Sequence, residues 1–188
     1  MNLLFQAGFD LQTFLSSSKL EFCFIGGLAI LRWGEIRMTQ DVDVTVYIPF
    51  GQEDAFSTKI LNQYVSRISE PIDFAIKNRV LLINTSNGIP ADISIAGFTF
   101  EEEIISRASE FEFFPGLSLK TCSAEDLIVL KAFANRAKDW SDIEGVFFRQ
   151  KGTLDHDLII QQLRPLCELK EDMSILDRIN QTIARVAP

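Results

Sequence analysis

Length, composition and charge place the chain among compact globular proteins. Its 188 residues are 47% hydrophobic and 23% charged, which is enough for one domain, or for a domain with a small helical addition. No apolar run approaches the roughly 20 residues of a membrane-spanning helix, and the N-terminus lacks the features of a secretion signal, so we predict a cytoplasmic protein without a membrane partner. The net charge of −8 argues against binding of long DNA through bulk electrostatics but leaves room for a local basic cleft.

Cysteine and histidine usage narrows the chemistry further. Cys23, Cys122 and Cys167 are scattered and have no C-x-x-C spacing, so we predict buried, reduced thiols and neither disulfides nor zinc ligands. The single histidine, His156, stands between two aspartates in front of an apolar segment. That setting is more typical of a helix start than of a catalytic base.

The most informative pattern lies in residues 22–48, after a helix that is predicted over residues 10–19. It predicts a strand, a turn at Gly26 and Gly27, a short apolar helix, a polar connector and a second strand. Adjacent glycines let the backbone approach a ligand closely, and they leave amide groups at a helix N-terminus free to hold an anion. A strand-to-helix turn without a ligand is the alternative interpretation.

The second strand of this segment begins with two carboxylates. The even-numbered residues from Val42 to Ile48 are aliphatic and share one face, whereas Asp41 and Asp43 project from the other face. The two aspartates are separated by roughly 6 to 7 Å of strand rise, and their repulsion favours a positive partner. Mg²⁺ or Mn²⁺ is the natural candidate because hard ions take oxygen ligands; two solvated aspartates at a strand end are the alternative.

A helix over residues 52–65 is predicted next, followed by an antiparallel hairpin with strands at residues 80–83 and 91–96. On the second strand of the hairpin, Asp92 is a lone acid among mostly apolar residues. One interpretation is an edge-strand aspartate that faces water. The other interpretation comes from the family resemblance described below.

A helix over residues 99–109 and a group of phenylalanines follow the hairpin. Thr99 and Glu102 are predicted to form a capping box at the start of this helix. Three aromatic residues after it are predicted to belong to the core and not to a base-stacking platform: Phe111, Phe113 and Phe114.

Residues 123–148 are the second segment with a functional pattern. Ser123 and Asp126 indicate a helix start, and Lys131 falls on or beside the packed face of that helix. A lysine whose stem lies along apolar surface with its charge in water is the simplest interpretation. Two further helices without a motif are predicted after it, with Pro165 near their junction and an apolar face that ends at Val186.

Taken together, these motifs resemble the signature of the DNA polymerase beta-like nucleotidyltransferase superfamily. They are most similar to the bacterial branch of AbiEii-type toxins and minimal nucleotidyltransferases. The first motif comprises Gly26, Gly27, Arg37, Thr39, Asp41 and Asp43. In that superfamily the glycines cradle a triphosphate, the aspartate pair binds Mg²⁺, and a third carboxylate on a neighbouring strand completes the metal site. Many members have Gly-Ser in place of Gly-Gly, whereas the toxin-like branch often carries the pair found here.

The resemblance implies roles for further residues. Asp92 matches the third carboxylate, so Asp41, Asp43 and Asp92 are expected to be both the metal ligands and the catalytic residues. The second motif comprises Lys131, Arg136, Asp139 and Asp142. In the resembling branch its lysine reaches the nucleotide phosphates, and the remaining residues line the nucleotide cleft or connect the helical part to the sheet. Interhelical salt bridges are the alternative for these remaining residues.

The resemblance also implies the fold and the activity. The expected fold is α+β, with a mixed central sheet flanked by helices: a catalytic domain over residues 1–115 and a mainly helical region over residues 116–188 that closes the nucleotide cleft. The expected reaction is metal-dependent transfer of a nucleoside monophosphate from a nucleoside triphosphate to a hydroxyl of RNA (such as transfer RNA), of a protein or of a small molecule. The implied roles are a toxin with an antitoxin partner or an antibiotic-modifying enzyme; a non-catalytic nucleotide-binding or sensor module is the alternative.

Overall fold

The structure, a computed structural model, describes residues 2–186 without the side chain of Val186. The predicted contribution of that side chain to an apolar face therefore lies outside the described residues. The strands are β1 (Phe22–Phe24), β2 (Val42–Tyr47), β3 (Val65–Ser66), β4 (Val80–Asn84), β5 (Pro90–Ala96), β6 (Ser109–Phe114) and β7 (Leu117–Thr121). The helices are α1 (Leu3–Ser17), α2 (Gly26–Trp33), α3 (Glu53–Leu61), α4 (Pro71–Asn78), α5 (Thr99–Arg107), α6 (Ala124–Ala134), α7 (Ala137–Arg149), α8 (His156–Leu169) and α9 (Ser174–Val186).

The chain divides into two compact units. Unit 1 comprises Met1–Leu28 and Met38–Cys122, and unit 2 comprises Ala29–Arg37 and Ser123–Pro188. Unit 1 contains all of the strands named above together with α1, α3, α4 and α5, whereas unit 2 contains α6 to α9; α2 begins in unit 1 and ends in unit 2. The division into domains after residue 115 stays a prediction, and that residue lies in the turn between β6 and β7.

The strands form one mixed sheet in the order β3-β4-β5-β2-β1-β7-β6. The pairs β2–β5 and β1–β7 are parallel, and the other neighbouring pairs are antiparallel. A mixed sheet with helices agrees with the predicted α+β class. Strand β2 lies at the centre of the sheet, so both of its edges are hydrogen-bonded.

The alternation predicted for the central strands is confirmed. Val42, Val44 and Val46 of β2 are fully buried, while Asp43 between them is half-buried on the opposite face. The predicted hairpin is also confirmed, because β4 pairs with β5 in antiparallel register. Burial of the aliphatic face fixes the register, since a slip by one residue would turn the carboxylates into the core.

The helix predicted over residues 52–65 ends early. Helix α3 stops at Leu61, and Val65 begins the short edge strand β3, where it pairs with Asn84. Val65 is 72% exposed, so burial does not hold it there. Backbone pairing with β4 decides its conformation, and a β-branched residue suits a strand.

Three further predictions need correction. Helix α5 begins at Thr99, and the side chain of Glu101, not Glu102, accepts hydrogen bonds from the backbone N–H groups of Gly97 and Phe98. Pro165 lies inside α8, which continues beyond it although proline lacks an N–H donor. The phenylalanines of β6 are not all core: Phe111 is 40% exposed and Phe114 is 44% exposed, because β6 is an edge strand of the sheet.

The cysteines are free and buried, as predicted: Cys23, Cys122 and Cys167. Within residues 2–186, no helix combines the length and the apolar character that crossing a bilayer requires.

Candidate active site

Two carboxylates lie side by side at the centre of the sheet. Asp43 of β2 and Asp92 of β5 are register partners in the parallel ladder between these strands. Neighbouring strands are about 4.8 Å apart, and register partners present their side chains on the same face. Both aspartates are half-buried, so the sheet places two negative charges next to each other in a partly desolvated setting.

The glycine turn lies directly against Asp43. Gly26 has a φ of +52°, and a Cβ atom at this position would lie 1.9 Å from Oδ2 of Asp43. The backbone N–H of Gly27 donates to the same oxygen over 3.4 Å. A side chain at Gly26 is therefore excluded by backbone conformation and by space, and the start of α2 is held against the carboxylate.

The connector before β2 brings two more predicted residues to this place. Thr39 lies beside Gly27, whose added Cβ would come within 2.2 Å of Oγ1 of Thr39. The hydroxyl of Thr39 donates to Oδ1 of Asp41 over 3.2 Å. Asp41 itself is exposed and precedes the strand. Unit 1 thus gathers Gly26, Gly27, Thr39, Asp41, Asp43 and Asp92.

The carboxylates are not arranged as a ready three-ligand metal centre. Among the side chains that the structure describes, no group of three or more histidine, cysteine, aspartate or glutamate residues is placed to hold one metal ion. Asp43 and Asp92 are adjacent by register, while Asp41 accepts a hydrogen bond from Thr39. The structure therefore offers a carboxylate pair, with a third carboxylate two residues before one of its members.

Arg67 is a functional candidate that the sequence did not reveal. Its guanidinium Nη2 forms an ion pair with Oδ1 of Asp92. It follows the edge strand β3 and lies two residues beyond the predicted helix over residues 52–65, so nothing in the pattern indicated that it would reach the carboxylates.

A single methyl group at Gly26 is expected to disable this site. Alanine there must adopt a positive φ, which costs about 1–2 kcal/mol of unfolding free energy, and its Cβ must displace the carboxylate of Asp43. The matched control is Gly88→Ala, because Gly88 also has a positive φ, of +84°, but has no atom within 4 Å of an added Cβ.

We expect both variants to be destabilised in urea denaturation, and only Gly26→Ala to lose nucleotide transfer and Mn²⁺ binding. Equal loss in the two variants would mean that backbone strain alone is responsible.

The second predicted cluster is an ion-pair network inside unit 2. Nζ of Lys131 lies 2.6 Å from Asp142 and 3.3 Å from Asp139. The guanidinium of Arg37 donates to both oxygens of Asp142, over 2.7 and 2.9 Å. Nε of Arg136 donates to Asp139 over 2.6 Å. The structure thus brings together Arg37, Lys131, Arg136, Asp139 and Asp142, in the salt-bridge arrangement that the sequence left open.

Both acids of this network have lowered pKa values. Burial by itself would raise the pKa of Asp142, but hydrogen bonds from Arg37 and Lys131, together with their charges, bring it below its ordinary value. Burial would likewise raise the pKa of Asp139, and Arg136 and Lys131 together lower it in the same way. Both carboxylates are therefore held in their charged form, as acceptors and not as proton donors.

Two side chains at the C-terminal end of α7 anchor the segment that follows α2, and no sequence pattern indicated them. Nη1 of Arg149 donates to the carbonyl oxygen of Gly34 over 2.6 Å, and Nε2 of Gln150 donates to the carbonyl oxygen of Trp33 over 2.9 Å. With the bidentate bond of Arg37, they fix the start of the connector that leads along the chain to Asp41.

Unit 2 also contains a cleft of about 420 Å³, and none of the predicted site residues belongs to its lining. Its lining comprises Glu35, Ser141, Glu144, Gly145, Phe148, Thr182 and Arg185.

Comparison with known families places the chain among the nucleotidyltransferases. Over residues 9–181 the chain matches the family described as "Nucleotidyl transferase of unknown function (DUF2204)", and it belongs to that family. Its predicted membership of the nucleotidyltransferases is thereby confirmed. No curated protein matches the chain.

Solved nucleotidyltransferases have a similar fold. An antigenic nucleotidyltransferase-like protein from Paracoccidioides brasiliensis is 14% identical, with a TM-score of 0.52 over 90% of this chain and 89% of that chain. The antibiotic-resistance factor ANT(2'')-Ia is 14% identical, with a TM-score of 0.56 over 94% and 96% of the two chains. The lincosamide antibiotic adenylyltransferase LnuA is 12% identical, with a TM-score of 0.52 over 75% and 94%. The predicted nucleotidyltransferase fold is confirmed by these likenesses.

Proposed function

We propose that this chain is a metal-dependent enzyme that moves a nucleoside monophosphate from a nucleoside triphosphate to an acceptor hydroxyl. The observation that carries the proposal is the register pairing of Asp43 with Asp92, next to the glycine turn at Gly26. Phosphoryl transfer needs positioning of the phosphates and stabilisation of negative charge more than covalent chemistry. A carboxylate pair that holds a divalent cation beside a helix N-terminus could supply both functions.

The donor set fits Mg²⁺ or Mn²⁺. Mg²⁺ is commonly bound by one or two carboxylates together with substrate phosphates, so Asp43 and Asp92 suffice as protein ligands and Asp41 can add a third. The ion pair of Asp92 with Arg67 supports the same conclusion, since a cation already lies against one of these carboxylates. A bound divalent cation would supply neutralisation of the charge that develops on the phosphoryl group and the leaving pyrophosphate.

In this proposal each protein group has a defined task. Gly26 and Gly27 present the N-terminus of α2 to the triphosphate. Asp43 and Asp92 would hold the cation, with Asp41 as a third ligand, and Asp92 would also help to deprotonate the acceptor hydroxyl. Thr39 and Arg37 hold the connector between the glycines and the aspartates.

The unit 2 network carries the nucleotide-binding roles proposed from the family resemblance. Lys131 would contact the phosphates, with Arg136, Asp139 and Asp142 beside the nucleotide. The ion pairs that Lys131 already makes with Asp139 and Asp142 support a positioning task for the acids, which hold the lysine in place.

The acceptor is proposed by class. The likeness to an antibiotic adenylyltransferase and to an antibiotic-resistance factor motivates a small-molecule hydroxyl. The motif resemblance to the AbiEii-type branch motivates an RNA end, such as that of transfer RNA, or a protein side chain. In that case the enzyme acts in the cytoplasm as a toxin with an antitoxin protein.

The decisive experiment is incubation of the purified chain with each of four α-³²P-labelled nucleoside triphosphates and Mg²⁺ or Mn²⁺. Total RNA, total protein and a panel of antibiotics are offered separately as acceptors. Label that enters one fraction identifies the acceptor class, and the matched control is the Asp43→Ala variant in the same incubation.

The outcomes separate the candidate roles. Label in RNA or protein, with growth arrest on expression, supports a toxin, whereas label in an antibiotic with raised resistance supports a modifying enzyme. Label in no fraction overturns the enzymatic proposal. In that event the second candidate is a nucleotide-binding module without catalysis, which the ion pair between Arg67 and Asp92 favours. Retention of labelled triphosphate by the protein in a filter-binding assay would support this candidate.

A further inference from the structure

Arg67 belongs to a row of residues that crosses four neighbouring chain segments of unit 1. Its backbone N–H donates to the carbonyl oxygen of Leu82 on β4 over 3.0 Å. Leu82 is the antiparallel register partner of Asp92, and Asp92 is the parallel register partner of Asp43. Arg67, Leu82, Asp92 and Asp43 therefore follow one another across the sheet, perpendicular to the strands.

The spacing of the row explains why an arginine is found at this position. With strands about 4.8 Å apart, the backbone of Arg67 lies two strand spacings, or about 10 Å, from that of Asp92. A side chain has to extend over Leu82 to contact the carboxylate, and arginine is long enough to do so. It also stays charged at every relevant pH and presents its donors in a planar fork that matches a carboxylate.

The ion pair between Arg67 and Asp92 is exposed enough for another cation to replace the guanidinium. The side chain of Arg67 is 27% exposed and that of Asp92 is 40% exposed. Exposed pairs of this kind stabilise proteins only weakly. The neighbouring Asp43 adds a second negative charge, and two adjacent carboxylates strongly favour a cation beside them.

We propose that Arg67 is the resident counter-cation of the carboxylate pair and competes with the divalent metal ion for Asp92. The inference rests on the proposed function. In the absence of metal, the guanidinium neutralises Asp92 and offsets its repulsion with Asp43. When a divalent ion binds the pair, the guanidinium gives up the carboxylate oxygen. Arg67 is thus a positioning residue that sets the metal affinity of the site, and its own backbone stays bonded to β4.

The test compares Mn²⁺ binding by isothermal titration in the wild type, Arg67→Ala and Arg67→Gln. Loss of the competing charge is expected to tighten Mn²⁺ binding about threefold in both variants, in line with a weak exposed pair. Without metal, the melting temperature of both variants is expected to be lower than that of the wild type. At saturating Mn²⁺ this difference in melting temperature is expected to disappear. Arg67→Gln retains much of the length of the side chain without its charge. Mn²⁺ binding by this variant tests the proposal if the alanine variant does not fold.

The matched control is Arg107→Ala. Arg107 pairs with Glu103 of the same helix, and its side chain is 26% exposed, so its loss removes a comparable ion pair of unit 1. The Mn²⁺ affinity of the Arg107→Ala variant is expected to equal that of the wild type.

The outcomes distinguish this inference from the proposed function. Unchanged or weaker Mn²⁺ binding in the Arg67 variants, with wild-type binding intact, overturns the role of Arg67 alone. Binding in the variants but not in the wild type supports it in its strongest form. Absence of binding in all proteins overturns the metal-dependent function together with the inference.

Discussion

Replacing Asp43 by alanine is expected to abolish nucleotide transfer while leaving the fold intact. Asp43 lies beside Asp92 and accepts a long hydrogen bond from Gly27, so its loss removes a proposed metal ligand. A rate decrease of roughly a thousandfold is expected, equivalent to about 4 kcal/mol of transition-state stabilisation. The measurement is the initial rate of labelled product formation with the acceptor fraction identified above.

The stability of the Asp43→Ala variant is expected to increase or to stay unchanged, although its activity is lost. Aspartate is unfavourable in a strand, and removal of one of two adjacent carboxylates relieves their repulsion. The free energy of unfolding of Asp43→Ala is therefore expected to equal or exceed that of the wild type, measured by urea denaturation. An aspartate that its own strand disfavours and that lies beside a second carboxylate points to function.

The control for this prediction is Glu110→Ala. Glu110 is an exposed acid on the edge strand β6, and its loss is expected to change neither rate nor stability appreciably. If transfer persisted in both Asp43→Ala and Asp41→Ala, the assignment of these aspartates would be refuted.

Replacing Asp142 by alanine is expected to have the largest effect on stability. Asp142 is 8% exposed and accepts hydrogen bonds from both Arg37 and Lys131. Its removal leaves two cations, one of them buried, with fewer partners, and loss of one member of a buried pair typically costs about 3–5 kcal/mol. We expect the free energy of unfolding to decrease by about 3 kcal/mol, because Lys131 keeps its ion pair with Asp139. Urea denaturation of the wild type and of Asp142→Ala at pH 7 measures this difference in unfolding free energy.

The same contribution is expected to vanish in acid. The pKa of Asp142 is lower in the folded chain than its ordinary value, so the folded state favours the charged form. The resulting stability is fully present above the ordinary pKa, near 4, and is lost as the pH falls through the lowered pKa of the folded state. The difference in unfolding free energy between the wild type and Asp142→Asn should therefore shrink steadily below about pH 4.

Glu144→Ala is the matched control on the same helix. Glu144 pairs with Arg185 over 3.3 Å, with the two side chains 54% and 64% exposed. An exposed pair contributes at most about 1 kcal/mol, so this variant should lose far less stability than Asp142→Ala. Equal losses would show that the network of Asp142 is no stronger than a surface ion pair.

Local sequence patterns predicted the central parts of the fold because short-range physics governs them. Alternating aliphatic residues in β2 specify a strand with one buried face, and the turn between β4 and β5 specifies a hairpin. Gly26 indicated a tight turn, and the structure gives it a positive φ with no room for a side chain. These features depend on neighbours in the chain, which the sequence displays directly.

Elements whose conformation depends on distant partners were predicted less well. The local pattern predicts a helix at Val65, but backbone pairing with β4 makes it a strand residue. The aromatic pattern predicts a core position for Phe111, but the edge position of β6 leaves it partly exposed. In both cases local propensity was outweighed by the place that the residue takes in the sheet.

By itself, the sequence determined the alternation of β2, the aspartates Asp41 and Asp43 at its start and the glycines at the start of α2, because regular periodicity and turn chemistry are written in consecutive residues; the class of fold followed from the family resemblance of these motifs. Only the tertiary structure decided that Asp92 lies in register with Asp43, that Arg67 contacts Asp92, and that Lys131 pairs with two buried acids. These contacts join residues that are well separated along the chain, and strand order and helix packing bring them together.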